Sequence, residues 1–554
     1  MSLNIALHAG LSGVLTHQKQ VEVTGNNIAN VNTPGYSRQT LSVSPGKALN
    51  INGLLLGQGV DAETVNREYD KFVSGQLVEQ GDMLGHEEAK SSPLAEIERI
   101  MGIGEDSLAS EIEGFFGAWH DLSANPGGSV ERDQVIYKGE NLLNSFSQLE
   151  SGLVDVRRNI NDSLNAEVNG INLKLQKVAE LNASIKDKQS LGHVANRDLD
   201  ERDVVIKELS EILGMQTFET GQGQVGLQLP GGVPLVQGNR AMEFEGYYEG
   251  GNLQVQIRSG DVVLETDRTN FGGKFRGLME LRDQFIPELE QDLDDLRHGI
   301  VTNVNAQHEA GYDLDGNTGR SFFTRPASAQ SETGFADPVA LALDTGDIEI
   351  NGSTITIDAQ NNSLYGIRDA INDSDAGVIA SVVHDGTDHH LDLTPKTRGA
   401  DVESDFSQIS DFIDEDTDGD FFDAAGSEQI SVAIDSTDQV AAAGFPEGAP
   451  GDNVNAMAIH ELNSSKLING DQTFVDAYGR IAATVGTETR RNTMAREGAA
   501  DTMDQLENLR ESMVGVSLEQ EMINLTLFQR GFEASSRFVQ TIDEMMGTLI
   551  GLKR

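Results

Sequence analysis

Between Leu142 and Ile185 the apolar residues Leu142, Phe146, Leu149, Leu153, Val156, Ile160, Leu164, Val168, Ile171, Leu175, Val178 and Ile185 recur mainly at three- and four-residue intervals. That spacing keeps apolar side chains on one stripe, so the segment predicts a long, coiled-coil-like helix. Successive four-residue steps, Ile160 to Leu164 to Val168, form a stutter that locally relaxes the supercoil. Similar stripes occupy both ends of the chain. Leu7, Leu11, Val14, Val21 and Ile28 form a seam that halts at Asn32-Thr33-Pro34-Gly35. There Pro34 disfavours helix at Thr33 and Gly35 supplies freedom to turn. Leu525, Phe528, Phe532, Val539, Ile542, Met546 and Leu549 form the second seam. Isolated helices of this length are marginal in water, so the two ends should order against each other or against neighbouring molecules.

The segments between them alternate in character. A shorter helix is expected over 199–213, then a small antiparallel β patch over 215–268, where Val225, Leu227 and Leu229 and later Leu253, Val255 and Ile257 alternate with polar residues. Helical period returns through Leu278 to Val304, with Pro287 bending or interrupting it. From Gly311 to Pro450 there are 28 acidic and 5 basic residues, and the apolar pattern is short and alternating (Ile348, Ile350; Ile355, Ile357). The reading is therefore a discontinuous multidomain protein, mainly α with β-rich parts. Residues 1–65 plus 512–554 make a terminal coiled-coil domain. Residues 66–312 plus 451–511 make a long helical domain carrying the β patch, and 313–450 an inserted acidic β-rich surface domain.

Composition removes several function classes. The 554 residues include no cysteine, which excludes disulfides, cysteine-ligated zinc and a thiol nucleophile. Acidic residues number 89 against 40 basic ones, a formal net charge of −49. Such a surface repels phosphate backbones and anionic headgroups, so neither nucleic acid nor membrane is an expected partner. The N-terminus lacks the features of a Sec signal peptide, and no apolar run reaches the length of a membrane span. Taken alone, these features suggest the cytosol.

The string Asn26-Asn27-Ile28-Ala29-Asn30-Val31-Asn32-Thr33-Pro34-Gly35-Tyr36-Ser37-Arg38-Gln39 changes that expectation. Clustered asparagines can bond backbone groups exposed at a helix end and a turn. The string resembles the N-terminal signature of bacterial flagellar axial proteins, and its Ser37-Arg38-Gln39 ending is the form found in the hook-associated members. Similar likeness is carried by Gly57-Gln58-Gly59-Val60, by Asp198-Leu199-Asp200-Glu201-Arg202-Asp203, by Asn305-Ala306-Gln307-His308 with Gly311 to Asn317, by Gly515-Val516-Ser517-Leu518-Glu519-Gln520-Glu521, and by Phe528-Gln529-Arg530-Gly531-Phe532-Glu533-Ala534-Ser535-Ser536-Arg537. It does not extend over residues 320–450.

The resemblance implies a non-enzymatic, cofactor-free structural protein at the junction between hook and filament. It also implies type III export and an extracellular location. The implied partners are copies of itself in a helical ring, the hook protein, a second junction protein toward the filament, and an export chaperone on the C-terminal helix. Asn26, Asn27, Asn30, Asn32, Pro34, Gly35, Tyr36, Arg38 and Gln39 are then the assembly motif. A hook, rod or filament subunit is the nearest alternative.

Catalytic constellations are missing from the sequence: there is no phosphate-binding Gly-x-x-x-x-Gly-Lys-Ser/Thr loop and no Gly-x-Ser-x-Gly elbow. His460-Glu461 begins a zinc-protease pattern, but Ser464 stands where the second histidine is needed. Asp414, Asp416, Asp418 and Gly419 match the first half of a calcium loop, although Ala425 takes the place of its bidentate glutamate. The segment reads either as a calcium site, which would suit a secreted adhesin, or as a solvated acidic loop. Asp313, Asp315 and Asn317 read as a structural turn.

The charge carries a testable consequence. Salt screens self-repulsion, so the melting temperature should rise from low to molar salt. A salt-independent melting temperature would refute this.

Overall fold

The computed structural model describes residues 2–551 except 52–53, 103–106, 250, 261, 267, 325–327, 332–334, 336–342, 344, 360, 385–388, 396–403, 406–421, 426–429 and 469–471. Helices take up 63% of it, so the mainly α expectation holds. The first helix, α1 (Ser2–Ala29), leads into strands β1 (Gln39–Pro45), β2 (Leu49–Ile51), β3 (Leu54–Leu56) and β4 (Val60–Arg67), with β1 and β4 antiparallel. Helices α2 (Lys71–Met101), α3 (Leu108–Ala124), α4 (Ser129–Ser190) and α5 (Asn196–Leu213) follow.

The β patch comprises β5 (Gln216–Gly221), β6 (Gln224–Gln228), β7 (Pro234–Gln237) and β8 (Arg240–Ala241) in one antiparallel sheet. A second sheet holds β9 (Glu243–Glu249), β10 (Asn252–Ser259) and β11 (Val262–Glu265). Next come α6 (Gly273–Glu280) and α7 (Ile286–Glu309), separated by a π turn over Leu281–Phe285. The interruption expected at Pro287 thus falls just before it, and the proline occupies the first turn of α7, where its missing N–H costs nothing.

The acidic insert contains β12 (Ser328–Ser331), β13 (Gly346–Ile350), β14 (Ser353–Ile357), α8 (Leu364–Asn372), β15 (Val378–His384), β16 (His389–Pro395), β17 (Ser404–Asp405) and β18 (Phe422–Ala425). The chain ends with α9 (Val454–Leu462), α10 (Phe474–Val514) and α11 (Leu518–Gly551). Among the described residues no helix is long and apolar enough to cross a membrane.

Contacts divide the chain into two compact units. One comprises 1–93, 158–282 and 490–554, the other 94–157 and 283–489. In the first, Val73 and Leu77 of α2 bury against Met503 of α10. The stripe of α4 is buried at Ile160, Leu164, Ile171, Leu175, Val178 and Ile185.

Asparagines beside that stripe hold the β patch. Asn172 Nδ2 donates to the Phe244 carbonyl at 2.7 Å while its Oδ1 accepts the Phe244 N–H at 2.8 Å. Asn182 makes the same pair of bonds with Val225, and Asn161 accepts from the Leu253 N–H and donates to the Gly251 carbonyl. Each amide replaces the missing neighbour of a strand and satisfies backbone groups that would otherwise be buried unpaired. Arg282, buried in the π turn, donates to Asn161 Oδ1 at 2.9 Å and to the Leu253 carbonyl at 2.6 Å.

In the second unit Phe115, Phe116 and Trp119 of α3 pack with Phe322 and Phe323 in edge-on and tilted contacts. The insert has its own core, built from Ile348, Ile350, Ile355, Ile357, Leu364, Ile367, Ile371, Val378, Leu391 and Leu393. The alternating isoleucines are thus the inward faces of paired strands β13 and β14.

His308 is fully buried beside Trp119 and Phe322. Its Nδ1 bonds the Arg320 carbonyl at 2.6 Å, so Nδ1 carries the proton, and Nε2 accepts the Ala441 N–H at 2.9 Å. Burial pushes its pKa down to about 4. A folded pKa below the unfolded value means that the unfolded chain binds more protons below about pH 6.5. Stability supplied by neutral His308 should therefore be complete above that pH and lost on acidification toward pH 4, by up to about 3 kcal/mol. Urea unfolding of the wild type and His308→Gln between pH 7 and 4 checks this, since the variant should lack that component of the slope.

Candidate functional site: the paired chain termini

Helices α1 and α11 run antiparallel within the first unit. A Cβ at Gly10 would lie 2.8 Å from Val539 Cγ2 and 2.9 Å from Phe538, one at Gly13 would lie 3.1 Å from Ser535 Oγ, and one at Gly531 would lie 2.7 Å from the His17 ring. Rising numbers on α1 thus meet falling numbers on α11. Small residues let the two backbones approach more closely than leucines would. Gly531, which lowers helix propensity, leaves room here for the His17 ring.

The sequence-derived seams are only partly covered. Ile542 is buried; Leu7, Val14, Val21, Ile28, Leu525, Phe528, Val539 and Met546 are half-buried; Leu11, Phe532 and Leu549 are exposed. Beside the paired face, Ile523, Leu527, Phe538 and Met545 of α11 are also exposed, as is Leu15 of α1. The α11 residues, spaced by four, eleven and seven, trace a second apolar stripe along that helix.

The Asn-rich string folds back across the end of α1 and is locked to the start of α11. Asn27 is buried, donating to the Gln39 carbonyl at 2.9 Å and accepting the Gln39 N–H at 3.0 Å, the same use of an amide as in α4. Its Nδ2 also reaches Glu521 Oε2 at 3.1 Å. Glu521 is 1% exposed, and its other oxygen accepts from Arg38 Nε at 2.9 Å. One carboxylate in α11 thereby joins two residues of the N-terminal string.

Asn30 bonds back to the Asn26 carbonyl and side chain, whereas Asn32 and Pro34 are exposed. The Tyr36 hydroxyl lies 3.1 Å from Asn26 Oδ1 and 2.9 Å from Asn27 Oδ1. Burial, reinforced by Asp200 and Glu521, pushes its pKa up to about 12, so it remains a donor near neutral pH. Gly35 has φ +76°, and a Cβ there would meet Val204 at 2.2 Å, so conformation and space both demand glycine.

A second acidic anchor comes from α5. Asp200 accepts the Ser37 N–H at 3.2 Å and pairs with Arg67 at 2.8 Å, and Arg67 also reaches Asp203 at 2.7 Å. Arg510 donates to the Gly35 carbonyl and the Arg38 N–H to the Val514 carbonyl. The sequence points to most of the N-terminal string as a site, and to Glu521 only as the last residue of the family-like string 515–521, with no role of its own. The signal available was an acid in the first turn of the last helix, which by itself suggests only a favourable helix dipole.

The other candidates separate cleanly. Asp313 Oδ1 accepts the N–H groups of Asp315 and Asn317, so its role is the structural turn expected. Asp414, Asp416 and Asp418 lie outside the described residues. Among the described residues no group of three or more His, Cys, Asp or Glu side chains is arranged to hold a metal ion.

Known proteins match the same parts of the chain. The family profile for the flagella basal body rod protein covers residues 7–36, that for the flagellar basal body rod FlgEFG protein C-terminal covers 510–552, and that for the flagellar hook-associated protein FlgK helical domain covers 94–323. Flagellar hook-associated protein 1 of Escherichia coli (strain K12) is 26% identical over 563 residues, with 99% of each chain covered. Its counterpart in Bacillus subtilis (strain 168) is 25% identical over 559 residues, covering 99% of this chain and 97% of that protein. The flagellar hook junction protein FlgK from Burkholderia pseudomallei shares the fold, with a TM-score of 0.55 at 16% identity over 79% of this chain and 100% of that one. Paired termini of this kind, with these matches at both ends, define a flagellar axial protein. Within that class, the match over the helical domain and the full-length matches are to flagellar hook-associated protein 1.

Removing Glu521 leaves the Arg38 and Asn27 donors without their buried acceptor, at a cost of about 2 kcal/mol or more. Hydrogen exchange in Glu521→Ala should show lost protection in α1, with α5 unaffected. A double-mutant cycle with Asn27→Ala should give coupling above about 0.5 kcal/mol, whereas additive effects would contradict the shared node.

Proposed function

We propose that the chain is a structural component of the bacterial flagellum that forms the junction between hook and filament and is needed for filament assembly. The observation that carries this reading is the antiparallel α1–α11 pair, fixed by Glu521 and yet exposing Leu11, Leu15, Ile523, Leu527, Phe538, Met545 and Leu549. A monomer gains nothing from such a stripe in water, whereas stacked copies bury it. The family is structural, and its members associate with other flagellar axial proteins.

Residues 1–65 and 512–554 form the axial core in this proposal. Heterologous contacts between copies build a helical ring. The hook protein lies on one side of that ring and a second junction protein on the other. Before assembly, a chaperone covers the apolar face of α11. Export proceeds through the flagellar type III route, and a chain free of cysteine has no disulfide to hinder passage in an unfolded state.

Deleting residues 525–554 should leave the aromatic core around Trp119 folded, as read by its fluorescence, while abolishing incorporation into hooks. Normal filament attachment by that truncation refutes the mechanism. Electron microscopy of cells lacking the gene should show hooks without filaments and filament subunits released into the medium.

A further inference from the structure

His460 begins a metal-binding pattern that α9 cannot complete, because Ser464 stands one helical turn away. The fold supplies a second imidazole from another helix. His120 of α3 and His460 of α9 have ring centroids 4.9 Å apart with planes inclined by 42°. Two imidazoles sharing one tetrahedral metal at about 2.0–2.1 Å place their centroids roughly 5 Å apart, so the observed separation already suits a common ion.

The protonation pattern fits as well. His460 Nδ1 lies 2.9 Å from the Phe116 carbonyl, which can only accept, so Nδ1 carries the proton and Nε2 keeps its lone pair. A backbone carbonyl holding the remote nitrogen of an imidazole is the arrangement that orients histidine ligands. The carbonyl is itself fixed, since Phe116 is fully buried and its ring stacks on Phe474 at 5.7 Å. Phe116 also lies one turn before His120 on α3, so a single rigid segment positions both rings. His120 is exposed and His460 half-buried, which leaves the pair open to solvent.

We propose that His120 and His460 form a two-histidine chelate for a borderline transition-metal ion of the zinc, nickel and copper class, joining α3 to α9. With no larger ligand group among the described residues, water completes the coordination sphere. Imidazole nitrogen selects these ions over magnesium and calcium, which separates the site from diffuse cation binding by the acidic surface.

Isothermal titration of the untagged full-length chain with Zn²⁺, in molar NaCl and excess Mg²⁺, tests this. One micromolar site per chain is expected, weakened about tenfold or more in His120→Ala and in His460→Ala and unchanged in His389→Ala. Zn²⁺ should raise the melting temperature of the wild type but of neither pair variant. His120 is exposed, so His120→Ala retains the fold and keeps the test decisive should His460→Ala misfold. Absence of a stoichiometric site, or equal affinity in the wild type and His120→Ala, overturns the proposal.

Discussion

The arrangement of the chain ends depends on one buried carboxylate. Glu521 takes hydrogen bonds from Asn27 and Arg38, residues separated from it by 494 and 483 positions. An ionised side chain at 1% exposure is costly unless its oxygens are paired, and both are paired by the N-terminal string. The two helices therefore meet in one register. From there Gly10, Gly13 and Gly531 allow close approach, and the remaining apolar residues are left facing outward along α11. The surface proposed to meet other copies is thus a consequence of how tightly the inner face is satisfied.

Asparagine serves as a substitute backbone throughout the described chain. Asn27 pairs with Gln39, Asn172 with Phe244, Asn182 with Val225, and Asn305 with the N–H groups of Phe322 and Phe323. A primary amide presents one acceptor and donors in the geometry of a peptide group, so it can finish a strand edge or a turn without another strand. This solves a recurring difficulty of a helical protein carrying small sheets, whose edges would otherwise face a helix that has no backbone groups to offer. It also connects the fold with the candidate site, because the motif residue Asn27 works by the same chemistry as residues of the long helix.

Much of this was legible in the residues. The stripe from Leu142 to Ile185 identified α4, the alternating isoleucines identified the strands of the insert, and the Asn-Thr-Pro-Gly break ended α1 within a few residues of its observed boundary. The node at Glu521 was not legible, since nothing in a string of local spacings says which acid two distant donors will share. The His120–His460 pair was hidden for the same reason: each histidine sits on its own helix, and only the packing of α3 on α9 brings their rings together.

The sequence by itself determined which segments are helices and strands, where they stop, and the family signature at both ends, because periodicity and turn chemistry act over a few residues. Tertiary structure alone decided that the terminal helices run antiparallel, that Gly531 faces His17, and that Glu521 closes over Asn27 and Arg38. Those outcomes depend on desolvating particular polar groups together, and the partner of a buried charge is chosen by three-dimensional proximity, which local spacing does not encode.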